Sequence, residues 1–335
     1  MKRIVGIGIF VLFLTTQFTT AQDETFTFAL VPKNTNNPFF DQARDGCYKA
    51  QEELAGQVEC LYVGPGEHGS GEEQVKVVQD LITQGVDGIA VAPSNAPAMA
   101  IALKEAEAAG IPVITWDSDL LPEDQALRLA YVGTYNYDIG VNLAKLAQTL
   151  KPEGGTICIQ SGGEAAANHN ERMQGIRDTL SGAASDAPPG NRLAGENGWT
   201  EIDACPLYTN DDFQLAVQQM ADILGANPEL DAFVPTGGFP QFVPNAYKQV
   251  AEEYKDRIDS GSLALVVADT LPDQIQFLRD GLSLGQVGQR PFEMGYQAMY
   301  MLLDVKNGAT LTDPTYTGLD VCTPENVDTC VGGGN

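Results

Sequence analysis

The chain has 335 residues, 43% of them hydrophobic, and carries 45 acidic against 19 basic side chains for a formal charge of −26. That excess repels the phosphates of nucleic acids and of anionic membrane surfaces and excludes both as partners. The acids are scattered as on a solvated surface, and the length suggests two domains.

Lys2 and Arg3 open the chain, an apolar run follows over 4–14, and small residues lead up to Ala21. This reads as a secretory signal peptide over 1–21, because the run is shorter than the roughly 20 apolar residues of a membrane span. No cysteine stands at the cleavage point to take a lipid, so a soluble, periplasmic mature chain is expected. From residue 26 the pattern predicts strands over 26–31, 58–63, 88–92, 112–116 and 129–132, separated by helices over 39–54, 72–84, 96–109 and 138–150. The pattern then restarts, with strands over 156–160, 202–208, 232–235, 264–268 and 284–288 and helices over 170–181, 212–224, 242–254 and 274–280. Strands alternating with helices of this length make parallel sheets, and the nearly continuous apolar runs IAVAP and IPVIT suit strands covered on both faces. The fold class is therefore α/β, with two doubly wound parallel-sheet lobes facing each other across a cleft. The Pro-, Gly- and Asn-rich stretch 185–197 reads as a surface loop within the second lobe.

In open α/β sheets ligands collect beyond the carboxyl ends of the strands. Those positions hold Lys33, Asn37, Phe39 and Phe40, then Asp117, Ser118 and Thr134 in the first half. In the second half they hold Asn168, Arg172, Gly237, Asp269 and Gln289. Amides and carboxylates bond hydroxyls in both directions, and aromatic faces cover the C–H side of a sugar ring, so the inventory suits a small polyhydroxylated solute. Trp116 reads equally as core or as a stacking platform, and Trp199 as core.

His68 and His169 are far apart and lack metal-ligand spacing, so neither a metal nor another cofactor is expected. Neither G-x-x-x-x-G-K-[ST] nor G-x-S-x-G occurs, and no nucleophile has a matched base, which argues against an enzyme. Six cysteines in an exported chain favour disulfides. Sequence order suggests Cys47 with Cys60, Cys158 with Cys205 and Cys322 with Cys330, among 15 possible connectivities.

The segments ALVPKNTNNPFF, VDGIAVAPSN, IPVITWDSD, YVGTYN, ERMQGI, VVADTLPDQ and GQRPFEMGYQAM occur in one order over most of the chain. Together they resemble the ribose-binding type of periplasmic solute-binding protein, the sugar receptors of ABC importers. The resemblance implies a monomer that delivers a monosaccharide or polyol to a membrane permease. It implies a first lobe over 25–134 and 290–312, a second over 135–289 and 313–321, a tail over 322–335, and lobe crossings near residues 134, 270 and 289. By the same resemblance Asn37, Phe39 and Phe40 flank the sugar, Asp117, Arg172, Asp269 and Gln289 bond its hydroxyls, and Lys33 reaches it from the same loop as Asn37. The chain departs from the pattern at Ala92, where an Asn is common, at Ser118 in place of Arg, and at Gly237-Gly238 in place of Asn-Asp, which puts ribose itself in doubt. Asn168 and Phe239 are candidates for replacement contacts. The alternative reading is a receptor for a sugar-like signal such as autoinducer-2, feeding chemotaxis or signalling. A sugar-responsive regulator would need an N-terminal DNA-binding motif where this chain has its signal-like segment.

Overall fold

A computed structural model describes residues 25–66, 69 and 71–331. The expected signal peptide and His68 lie outside the described residues. The first half runs β1 (Phe26–Val31), α1 (Pro38–Glu53), β2 (Val58–Tyr62), α2 (Glu72–Gln84), β3 (Gly88–Val91), α3 (Ala96–Ala109), β4 (Val113–Trp116) and β5 (Tyr131–Gly133). The second begins with α4 (Asn136–Leu150), β6 (Gly155–Ser161), α5 (Ala167–Ser181), β7 (Trp199–Glu201), β8 (Leu207–Tyr208) and α6 (Phe213–Ala226). It continues with β9 (Ala232–Pro235), α7 (Pro244–Glu253), α8 (Lys255–Asp259), β10 (Ala264–Ala268), α9 (Pro272–Arg279) and β11 (Gly285–Gly288). The chain ends with α10 (Pro291–Lys306), β12 (Thr315–Tyr316) and β13 (Asp320–Cys322).

Two sheets result, ordered β12-β5-β4-β3-β1-β2 and β13-β11-β10-β9-β6-β7, with β8 beside β6. The pairings are parallel except that of β13 with β11. Each sheet is buried on both faces. Along β1, Phe28 and Leu30 enter the core under α1 and α10, while Ala29 and Val31 enter the one under α2 and α3, as the two-residue strand period requires. In the second lobe Ile157 and Ile159 face α4 and α5, and Cys158 joins Phe233 and Tyr247 on the other side. The helix pairs α1–α10 and α4–α5 touch backbone to backbone. A Cβ on Gly295 would stand 1.8 Å from the Ala43 carbonyl oxygen, and one on Gly140 would stand 1.9 Å from that of Arg172. Only glycine allows either approach.

The structure departs from expectation in six places. Helix α10 was not anticipated, because its stripe merges with the apolar residues that bury it against the first sheet. The strand expected over 202–208 is interrupted: the Cys205 N–H bonds back to the Ile202 carbonyl in a turn, and Pro206 has no N–H to give a ladder. Helix α7 starts at Pro244, later than expected, after a 3-10 turn over Phe239–Phe242. The expected crossing near 270 is absent, since α9 joins β10 to β11 within one sheet; Leu271 only packs on the first lobe's core. The chain crosses instead between β5 and α4, between β11 and α10, and between β12 and β13. Accordingly Thr315 and Tyr316 belong to the first sheet, where they pair with Val132 and Gly133, and not to the second lobe as the boundaries implied. Cys322 ends β13 and so lies inside the second sheet, ahead of any tail.

The disulfides are Cys47–Cys60, which ties α1 to β2, Cys158–Cys205, which ties β6 to the turn before β8, and Cys322–Cys330, which folds the C-terminal segment back on β13. Among the described residues no helix is long and apolar enough to cross a membrane.

Candidate functional site

The carboxyl ends of both sheets meet in one cavity. It is lined by Lys33, Asn37, Phe39, Phe40 and Asp117 from the first lobe and by Asn168, His169, Arg172, Asp211, Gly237, Phe239, Phe242, Asp269 and Gln289 on the other side.

Each first-lobe group is placed by local structure. Asn37 caps α1, accepting the Phe39 N–H at 2.9 Å, and Pro38 supplies the fixed φ of a first helical turn. This cap sets Phe39 and Phe40 at the start of the helix, where their rings meet edge to face at 5.3 Å. Trp116 is core: it is fully buried, packs edge-on against Phe40 at 5.5 Å, and bonds the Ala90 carbonyl through its indole N–H. It backs the aromatic wall without reaching the cavity.

Asp117 and Asp269 follow β4 and β10, which hold the same position in the two sheets. Both adopt left-handed backbone, with φ of 58° and 74°. Aspartate tolerates that region better than most residues, and the reversal occurs at the strand end that meets the cleft. Both side chains are almost fully buried.

The polar groups bond across the cleft. Lys33 Nζ donates to Asn168 Oδ1 at 2.8 Å and lies 3.8 Å from Asp117 Oδ2, to which Asn168 Nδ2 also donates at 3.3 Å. Arg172 Nη2 stands 3.5 Å from Asp117 Oδ1 and donates to Gln289 Oε1 at 3.0 Å. Its Nε donates to Asn136 Oδ1 and its Nη1 to the Thr236 carbonyl. Asp269 accepts from Gln289 Nε2 at 2.8 Å and from the Gly238 N–H at 3.0 Å. Burial favours the neutral form of an isolated ion, so it pushes the Lys33 amine down, against the pull of Asp117. Burial likewise raises the Asp269 carboxyl, opposed by Arg172 and by its two hydrogen bonds.

Ten of the twelve residues named from the sequence line this cavity. Ser118 and Thr134 do not. The Ser118 N–H turns back to the Trp116 carbonyl, and the residue is wholly buried behind Asp117. Thr134 Oγ1 donates to the Gly318 carbonyl, tying two of the lobe crossings together. Three lining residues were missed: His169, Asp211 and Phe242. His169 Nδ1 lies 3.0 Å from Thr236 Oγ1, Nε2 lies 4.0 Å from Asp211 Oδ1, and the ring packs on Phe239 at 5.2 Å. The signal for His169 was its place in the first turn of a helix that follows a strand end. Phe239, named only as a candidate replacement contact, does line the cavity. No cluster of His, Cys, Asp and Glu able to hold a metal occurs among the described residues.

Two lobes of parallel sheet whose strand ends share one buried, hydrogen-bonding and aromatic-walled cavity define a solute-capturing protein. The sequence profile of the periplasmic binding protein domain matches residues 28–310, and the chain belongs to that family. The D-allose-binding periplasmic protein of Escherichia coli is 23% identical, with 91% of each chain aligned. The D-ribose/D-allose-binding protein of Pseudomonas aeruginosa is 30% identical over 46% of this chain and 50% of its own length. Among solved structures, an ABC transporter solute-binding protein of Burkholderia graminis in complex with D-arabinose superposes with a TM-score of 0.76 at 29% identity, covering 92% of this chain and 98% of that one. These relatives bear out the resemblance to the ribose-binding type.

Proposed function

We propose that this protein captures one monosaccharide or polyol outside the cytoplasm and hands it to the permease of an ABC importer, acting as a monomer and without catalysis. The observation that carries the reading is the cavity itself: buried Asp117, Arg172, Asp269 and Gln289 converge on it from four segments, with Phe39 and Phe40 on one wall. Such a set bonds hydroxyls and covers ring C–H groups, as capture of a small polyhydroxylated solute requires. The relatives' names and bound sugars support the same class. None of them favours autoinducer-2. In this reading the first lobe comprises the β1–β5 segment with α10 and β12, and the second comprises α4 through β11 with β13. An N-terminal signal peptide, removed after Ala21, accounts for export to the periplasm.

Calorimetry of the purified mature protein against pentoses, hexoses and polyols, D-allose, D-ribose and D-arabinose among them, tests the proposal. Saturable one-to-one binding of at least one sugar is expected. An absence of binding across the panel would overturn it.

A further inference from the structure

The cavity's second-lobe wall has a chemical gap. β9 runs into Thr236-Gly237-Gly238-Phe239, and aromatic rings fold over both glycines. A Cβ on Gly237 would lie 2.5 Å from Cζ of Phe239, and one on Gly238 would lie 2.5 Å from Cε1 of Phe242. The rings occupy the space that side chains at 237 and 238 would otherwise fill. Phe239 is only 3% exposed and packs on the His169 ring.

The backbone of Thr236 and Gly238 is spent as well. The Thr236 N–H donates to the Gln160 carbonyl, and the Thr236 carbonyl accepts from Arg172. The Gly238 N–H donates to Asp269, and the Gly238 carbonyl accepts from the N–H groups of Gln241 and Phe242. A ligand hydroxyl pressed against the Phe239 ring would lose its water and find an aromatic face in return.

We propose that the aromatic patch formed by Phe239 and Phe242 is a hydroxyl-excluding subsite, which selects a deoxy-monosaccharide whose C–H or methyl edge faces Phe239. The inference rests on the sugar-capture reading and adds the substrate class within it. An unpaired buried hydroxyl costs enough to separate a sugar from its deoxy partner by about 5- to 150-fold in affinity.

Titration calorimetry on the full mature chain tests this with sugar pairs that differ by one hydroxyl: D-galactose with D-fucose, D-glucose with D-quinovose, D-glucose with deoxyglucose, and D-ribose with deoxyribose. The expected result is at least one pair in which the deoxy member binds more tightly by at least about 5-fold. Phe239→Asn, which puts a hydrogen-bonding amide at this wall, should erase or reverse that preference, and Phe239→Leu should keep it. Hydroxylated members that bind as tightly or more tightly in every pair would overturn the subsite and leave sugar capture standing. A preference that survives Phe239→Asn would also overturn it, because the selection would then lie elsewhere. Binding of no member of any pair, nor of any sugar in the wider panel, would overturn the capture reading and this inference together.

Discussion

The two lobes carry the same sheet twice, yet they build their cavity walls differently. β4 and β10 hold equivalent places, as do β5 and β11, and β1 and β6. In the first lobe the wall is short in sequence: Lys33, Asn37, Phe39 and Phe40 come from one loop and helix start, and Asp117 follows β4. On the other side the wall is gathered from α5, the segment before α6, the end of β9 and the ends of β10 and β11. A wall written mostly as one contiguous motif keeps that motif's register under a single helix cap. A wall collected from five segments depends on the packing of the whole lobe. It follows that the second lobe's stability and the site's geometry should be harder to separate than the first lobe's.

The largest effect expected is on stability, through the disulfides. Cys158–Cys205 closes a separation of 47 residues and Cys47–Cys60 one of 13. Restricting the unfolded chain grows with loop length, and the two bonds are worth about 4 and about 3 kcal/mol respectively. Urea unfolding of Cys158→Ala/Cys205→Ala should therefore show the greater loss, compared with Cys47→Ala/Cys60→Ala. An equal or larger loss in the first lobe would break the asymmetry.

A pH effect sharpens it. Glu171, on α5 beside Arg172, is held up to about 7 by burial and by the charge of Asp119 across the seam, against the pull of Arg172. Asp119 is itself fixed by Arg128, Thr115 and Gln125, so it stays as a permanent neighbour. Between the ordinary 4.5 and about 7 the folded protein keeps a proton that the unfolded chain has lost. Its stabilising contribution is thus complete below about pH 4.5 and disappears as pH rises to about 7, a change of at most roughly 3 kcal/mol. Denaturation series across that window should show the fall in the native chain and a flatter profile in Glu171→Gln. A profile identical in both would mean that Glu171 is not the group responsible.

Much of the fold was legible because apolar runs and helix stripes alternate at regular spacing; the strands at 26–31, 232–235 and 264–268 coincide with β1, β9 and β10. What escaped was set by long-range contact. β12 and β13 are two and three residues long and exist only because another strand lies beside them. In the cavity, Asp117 and Arg172 stood in motifs, whereas Asp211 is an ordinary loop residue and Phe242 an ordinary helix-start residue until α6 and the 3-10 turn fold them inward.

Asp117 and Arg172 test the two walls directly. Truncating either removes a charged partner from a desolvated site and should weaken sugar binding by about 1–3 kcal/mol, or about 5- to 150-fold. The ligand-free proteins should differ. Arg172→Ala leaves Asn136 Oδ1 and Gln289 Oε1 without their donor and breaks a bond to the Thr236 carbonyl, so it should also lower the unfolding free energy by a comparable amount. Asp117→Ala leaves Asn168 and Lys33 bonded to each other and should lower it less. Calorimetry and urea unfolding on the same two variants separate the effects, and equal stability losses would count against a second-lobe wall that doubles as lobe structure.

The smallest effect belongs to Ser118 and Thr134, where motif and geometry part. A strand alternates its side chains, and the left-handed turn at Asp117 sends the next residue back toward the strand, so Ser118 falls behind the carboxylate it follows. Its hydroxyl is buried with no hydrogen-bond partner among the described residues. Ser118→Ala removes an unsatisfied group and should leave affinity unchanged and stability equal or slightly higher. Thr134 occupies the place in the first sheet that Gln289 holds in the second. Gln289 enters the cavity because its amide is drawn between Arg172 and Asp269, while Thr134 is held by the Gly318 carbonyl at the last lobe crossing. Thr134→Val should therefore cost about 1 kcal/mol of stability and no affinity. A loss of sugar binding in either variant would return these residues to the site and show that the lobes' equivalence extends further than the hydrogen bonds indicate.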